Sequence, residues 1–196
     1  MEYKEALKLA DAVPGSLIEL GFGRGNSLKE FISYMNNIEI NKRNIWIYES
    51  FDGYNNPTPE DKSAFKKGDF KRPPQPAYDI VNTINTRVEL VKGYIEETLP
   101  KRYDKSPVSI VHSHLVSYSS TLHGLENFEK YMDPGSIIIV TDYEMFEGTK
   151  QAVDEFLIKY APKFKMIETN DQFVVLKTQS VKKLGSKVTR TRSDLS

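Results

Sequence analysis

The sequence predicts an α/β fold on a mainly parallel seven-stranded sheet that closes with an antiparallel hairpin. Three observations predict it. Short apolar runs of strand character alternate with stretches of helical spacing along most of the chain. The first such run leads into a helix through a glycine-rich turn, Gly21-Phe22-Gly23-Arg24-Gly25. The last two runs, 164–168 and 173–176, are separated by only a short polar turn, Thr169-Asn170-Asp171.

Each element follows in order. Residues 2–12 place Ala6, Leu9 and Ala10 on one side of a helix that ends at Pro14-Gly15. Residues 16–20 (SLIEL) form the first strand. Residues 27–35 form a helix with Leu28, Phe31, Ile32 and Met35 on one face. Residues 45–48 (IWIY) form the second strand, which ends at the acid Glu49; Trp46 and Tyr48 alternate with Ile45 and Ile47, as packing on both faces requires. Residues 51–76 contain Pro57, Pro59, Pro73, Pro74 and Pro76 and the charged string EDKSAFKKGDFKR. That segment is a long loop with one short helical turn near 60–65. Its position after a strand's C-terminal end makes it a candidate lid over a ligand. The alternation resumes with a helix at 78–85, a strand at 88–91, a short helix or turn at 96–103 and a strand at 108–111. A helix at 121–131 and a turn at Asp133-Pro134-Gly135 follow. The β-branched run 136–140 (SIIIV) is a buried strand, and 149–160 is a helix with Ala152, Val153, Phe156 and Leu157 inward.

Composition narrows the function. The 196 residues carry 27 Lys+Arg against 27 Asp+Glu, so no net field draws the chain to nucleic acid or an anionic membrane. A 39% hydrophobic and 28% charged composition fits one folded domain rather than a disordered chain. Cysteine is absent, which excludes disulfides, thiolate zinc sites and thiol nucleophiles. No apolar run is long enough to span a bilayer, and residues 1–15 lack a signal-peptide core. The expectation is a cytoplasmic protein with a small-molecule partner, no nucleic-acid or membrane partner, and a composition compatible with a homo-oligomer. A domain at 1–178 is expected to precede a flexible basic tail at 179–196, which holds five Lys/Arg and one Asp.

The chemistry concentrates at strand ends. Glycines let a turn approach a ligand closely, and the helix that follows offers free N–H groups to a carboxylate or phosphate. An acid at the end of the next strand, Glu49, can accept hydrogen bonds from two ribose hydroxyls. The glycines at 21, 23 and 25 depart from the G-x-G-x-x-G dinucleotide spacing, because Asn26 stands where the third glycine belongs. Glu19, just before the turn, can bind a cationic amine. A ligand with an amino-acid end and a ribose fits this pattern, and S-adenosylmethionine is such a ligand. A tight turn with no ligand is the structural alternative.

Four segments in order then resemble the macrocin O-methyltransferase family, class I S-adenosylmethionine-dependent enzymes that methylate sugar hydroxyls. They are IELGFGRGNSL, IYESFDGY, VKGYIEETLP and DYEMFEGTKQAVDEF. The resemblance implies a class I methyltransferase (Rossmann-like) sandwich, S-adenosylmethionine as cofactor and a small polar, sugar-like acceptor. It implies cofactor contacts from Glu19, Gly21, Phe22, Gly23, Gly25, Ser27, Glu49, Ser50, Tyr94 and Glu97. The alternatives are a cofactor-binding protein with a degenerate site, an N-methyltransferase and, more distantly, a Rossmann oxidoreductase.

The resemblance breaks at the chemistry. The family's HLDCDLY segment carries a metal-ligand Asp and a base Asp; aligned on Tyr118, this chain has His114 and Val116 there. The family's paired acids before Tyr143 become Thr141 and Asp142. One of three metal carboxylates remains, so a divalent metal is not called for. His114 can serve as general base, as a structural hydrogen-bonding residue, or as a metal ligand with Asp142. His112 matches the family's own histidine and would orient groups. The catalytic candidates are His114 and Asp142.

Overall fold

A computed structural model describes residues 3–38, 43–62, 65–99, 101–169 and 173–179. The hairpin turn at 170–172 and the expected tail from residue 180 onward lie outside the described residues. The elements run α1 (Tyr3–Lys8), β1 (Ser16–Leu20), α2 (Asn26–Ile38), β2 (Ile45–Glu49), a 3-10 turn (Pro59–Asp61) and α3 (Gln75–Val81). They continue through β3 (Val88–Lys92), α4 (Ile95–Thr98), β4 (Val108–Ser113), α5 (Tyr118–Glu129), β5 (Met132–Thr141), α6 (Glu147–Lys159), β6 (Phe164–Thr169) and β7 (Phe173–Thr178). No helix among the described residues is long and apolar enough to cross a membrane.

The expected fold class holds. One seven-stranded sheet has the order β3-β2-β1-β4-β5-β7-β6. β1 pairs in parallel with both β2 and β4, β2 with β3, and β4 with β5. The strand order reverses between β1 and β4, so the crevice for a ligand opens at their C-terminal ends. The closing strands differ from a simple edge hairpin. β7 inserts between β5 and β6 and runs antiparallel to both, which leaves β6 at the edge. Ile138 faces Leu176 and Val140 faces Val174, so the more apolar of the two last strands takes the central place.

Alternation along each strand feeds two cores. Ile18, Leu20, Trp46, Tyr48, Ile138 and Val140 pack with Leu125 and Phe128 of α5 and Val153 and Phe156 of α6. Leu17, Ile45, Ile47, Ile137 and Ile139 pack on the other face with Leu7 of α1, Leu28 and Phe31 of α2 and Ala77 of α3. Two boundaries depart from expectation for identifiable reasons. The α1 helix ends at Lys8 and passes into successive turns, where the guanidinium of buried Arg43 donates to the carbonyls of Ala10 (2.9 Å) and Val13 (2.7 Å). These bonds satisfy carbonyls that a longer helix would have used. The residues Asp133-Pro134-Gly135, expected to turn, belong to β5, because Met132 already pairs with Val108 across a register shift.

Candidate active site

The glycine turn leaves β1 at Leu20 and enters α2 at Asn26. Gly21, Phe22, Gly23 and Ser27 line a cavity of about 660 Å³ at the C-terminal edge of the sheet. Gly25 does not. Its φ is +74°, and a Cβ there would come within 2.5 Å of Phe22 Cζ and 2.8 Å of Ile80 Cδ1. Gly25 therefore shapes the turn by packing, from behind the cavity wall. Gly25→Ala is expected to destabilise the fold by about 1–3 kcal/mol, the range for overpacking, measured by urea unfolding.

Glu49, at the end of β2, lines the same cavity. Its Oε2 accepts the Phe22 N–H at 2.8 Å, and its Oε1 accepts the Phe51 N–H at 2.8 Å. The Ser50 hydroxyl, which also lines the cavity, lies 3.5 Å from Oε1 and donates to Gly53 O at 3.3 Å. An ionised carboxylate has about four lone-pair sites, so both oxygens keep capacity for ligand hydroxyls. Phe51 holds φ at +61°, a left-handed conformation that a bulky residue adopts only when its surroundings impose it. Tyr94, the residue before α4, lines the cavity next to Gly93 and Ile95. Burial and nearby Asp52 push its hydroxyl pKa up. Glu97 is exposed and does not line the cavity.

His114 and Asp142 meet across the opening, from the ends of β4 and β5. His114 Nε2 stands 3.3 Å from Asp142 Oδ2, with the side chains 39% and 26% exposed, so both are reachable from the cavity they line. Asp142 sits at φ +60°, and its carbonyl accepts from Met145 and Phe146 in a tight turn. The hydrogen bond to Asp142 raises the His114 pKa above its ordinary value; burial opposes this, and the charges of Asp142, Glu19 and Glu49 add to it. With Nε2 turned to Asp142, Nδ1 is left as the acceptor in the neutral ring. That edge faces Gly23, where an added Cβ would lie 3.4 Å from Nδ1.

Glu19 lies deeper. It is fully buried within β1, outside the cavity lining, and pairs with His112 of β4, Nδ1 to Oε2, at 2.8 Å. Phe31 of α2 covers the imidazole edge-on at 5.3 Å. Glu19 Oε1 is buried with no hydrogen-bond partner among the described residues. Several cavity residues were not singled out by sequence: Arg24, Tyr54, Met145 and Phe146 lie inside quoted motifs, and Phe70 and Arg72 carry no motif of their own. Three of these come from the 51–76 loop, and only the folded loop brings them over the sheet edge.

The macrocin-O-methyltransferase (TylF) family matches residues 3–175, nearly the whole described chain. The chain belongs to this family. A tetracenomycin-C 4'-O-methyltransferase acting on a 2,3-dimethoxy-rhamnosyl compound, from Streptomyces olivaceus, is 23% identical over 170 residues, which cover 82% of this chain and 64% of that protein. Demethyldecarbamoylnovobiocin O-methyltransferase from Streptomyces niveus is 25% identical over 166 residues, covering 78% and 62%. The chain thus spans a little under two thirds of the length of these curated relatives. The calicheamicin methyltransferase CalS11 has the same fold, with a TM-score of 0.74 and 22% identity over 88% of this chain and 76% of that one.

The macrocin O-methyltransferase family resemblance implies a three-carboxylate metal site, and this chain's donors do not fit one. Among the described residues no group of three or more His, Asp or Glu side chains is placed to hold a metal ion. Thr141 turns its hydroxyl to the Ser113 carbonyl at 3.2 Å, so it is spent on backbone. His114 Nε2 and Asp142 Oδ2 stand 3.3 Å apart. One imidazole and one carboxylate leave two of the three implied carboxylate ligands unmatched, and an imidazole suits zinc, copper, iron or nickel better than Mg²⁺.

Proposed function

We propose that this chain is an O-methyltransferase that uses S-adenosylmethionine and a sugar-like hydroxyl acceptor. The carrying observation is one cavity at the β1/β4 switch point lined by two different sets of groups. One is the Glu49 carboxylate, oriented by two backbone N–H groups beside the glycine turn. The other is the His114–Asp142 pair. The named activities of the relatives, methylation on a rhamnosyl group among them, support oxygen as the acceptor atom. The 51–76 loop, which walls the cavity, acts as the cover over the acceptor.

S-adenosylmethionine supplies an electrophilic methyl group on its sulfonium. Glu49 receives the ribose hydroxyls, and Gly21, Phe22, Gly23 and Ser27 shape the turn against the amino-acid end. Glu19 acts from beneath the turn, where its unpaired oxygen places negative charge close to that end. The cavity walls would position the acceptor hydroxyl against the methyl group, and such positioning would carry much of the rate. With S-adenosylmethionine bound, His114 Nδ1 would take the hydroxyl proton as the methyl passes from sulfur to the acceptor oxygen, and Asp142 would stabilise the imidazolium.

Calorimetry with S-adenosylmethionine and with NAD tests the cofactor; binding of NAD alone overturns the reading. Mass spectrometry of a panel of deoxysugar glycosides incubated with protein and S-adenosylmethionine tests transfer. Cofactor binding with no product from any hydroxyl or amine acceptor favours a binding protein, for which Val116 at the family's base position is the motivating residue. The donor set also sets a metal expectation. EDTA should leave turnover unchanged; loss with EDTA and recovery with Mg²⁺ would place a metal in the reaction.

A further inference from the structure

We propose that Asp61 is a positioning residue, a buried clasp that holds the 51–76 loop against the starts of α5 and α6 and so sets the acceptor side of the cavity. Its effect on transfer rests on the methyltransferase reading; the clasp itself does not.

Asp61 closes the 3-10 turn in the middle of a charged, proline-rich loop, yet only 4% of it is exposed. Burying a carboxylate is costly unless its oxygens are satisfied. Here they are satisfied by backbone. Oδ2 accepts the Thr58 N–H at 2.7 Å, within the loop. Oδ1 accepts the Tyr118 N–H at 2.6 Å, the first residue of α5. The residue before that helix, Ser117, makes no side-chain capping bond. Asp61 therefore does from 57 positions away what an N-cap residue does locally, and its charge lies at the positive end of a 12-residue helix.

The α6 helix is built around the same carboxylate. Gly148, in its first turn, lies so close that a Cβ would run into Asp61 Oδ1 and come within 2.9 Å of Tyr118 N. Nothing in its backbone conformation demands glycine, so the close approach is the reason for it. Beyond the clasp, the loop lays Phe65 against Phe146 (5.8 Å) and Phe70 (4.8 Å), with Tyr54 behind it (5.8 Å). Tyr54, Phe70 and Phe146 line the cavity, as do Ser117 and Ser120 around the start of α5. Asp61 itself does not. It joins the elements that carry those walls, while Glu49 is oriented by bonds made without it.

The test uses the full chain and S-adenosylhomocysteine, with trypsin cleavage mapped by mass spectrometry at the exposed loop lysines Lys62, Lys66, Lys67 and Lys71. Asp61→Ala should raise loop cleavage by roughly tenfold or more, as expected when a local opening loses a charge-assisted hydrogen bond. S-adenosylhomocysteine affinity should change by less than about threefold, as for a site that shares no partners. Asp61→Asn, which keeps one acceptor oxygen for Tyr118, should recover part of the protection. A double-mutant cycle adds a second measurement: Gly148→Ala should open the loop in the wild-type background and have a smaller further effect on top of Asp61→Ala, where the clash with Oδ1 is gone and only the contacts with Tyr118 N and the residue-61 backbone remain. Wild-type cleavage of Asp61→Ala, no rescue by Asn, or additive effects of the two substitutions would overturn the clasp. Loss of affinity in parallel with cleavage would overturn its confinement to the acceptor side. Should the wild-type chain bind no S-adenosylhomocysteine, the methyltransferase reading fails while the cleavage arm still decides the clasp.

Discussion

Replacing His114 with alanine will lower methyl transfer by about 10²–10⁴-fold, the usual contribution of a general base, and leave S-adenosylmethionine affinity nearly unchanged. The affinity is spared because the ligand-orienting groups, Glu49 and the glycine turn, make no bond to the imidazole. The rate falls because the residue at the position of the base that the family resemblance implies is Val116, which cannot accept a proton and so cannot replace the imidazole. The pH dependence has a definite sign. The base works only when neutral, and Asp142 favours the protonated form. The activity limb should therefore lie above pH 6.5, the ordinary histidine value, and rise with pH. Asp142→Asn should move that limb to lower pH. The same pair contributes stability at pH below the unfolded histidine pKa, and this contribution fades as pH rises through the raised folded value. Single-turnover transfer by both variants, followed against pH, makes the measurement. A wild-type rate in His114→Ala would move the base to another group.

Glu49→Ala will weaken S-adenosylmethionine binding by about 1.5–3 kcal/mol, the range for hydrogen bonds to a charged group, which is roughly 10- to 150-fold in the dissociation constant. The structure adds a reason beyond the proposed ribose contact. The carboxylate ties Phe22 of the glycine turn to Phe51, a residue held at φ +61°. Its loss frees both walls at once. Glu49→Gln keeps one acceptor oxygen and should recover part of the affinity. Calorimetry on the folded variants decides it, and an unchanged constant would remove Glu49 from the cofactor site.

What the sequence by itself determined is what depends on local pattern. The alternation in Ile45-Trp46-Ile47-Tyr48 sends its side chains into two different cores, as period-two spacing demands. The strand–glycine–helix junction and the acid closing the second strand mark where the cavity lies, because both features are local in the chain. Other assignments needed contacts between distant segments. Hairpin spacing pairs β6 with β7, but only the apolar match of Val174 and Leu176 to Val140 and Ile138 decides that β7 lies inside. Gly25 and Glu19 belong to the right motif, yet their neighbours Ile80 and His112 place them behind and beneath the cavity rather than in its lining. Glu97 has the right spacing and faces solvent. The 51–76 loop shows the division most clearly. Its prolines and charges read as an open loop, but one carboxylate at Asp61 finds the free N–H of Tyr118, 57 residues away, and the space left by Gly148. A bond between groups that far apart leaves no local pattern, so only the folded chain, by bringing an unsatisfied helix end beside a buried acid, decides it.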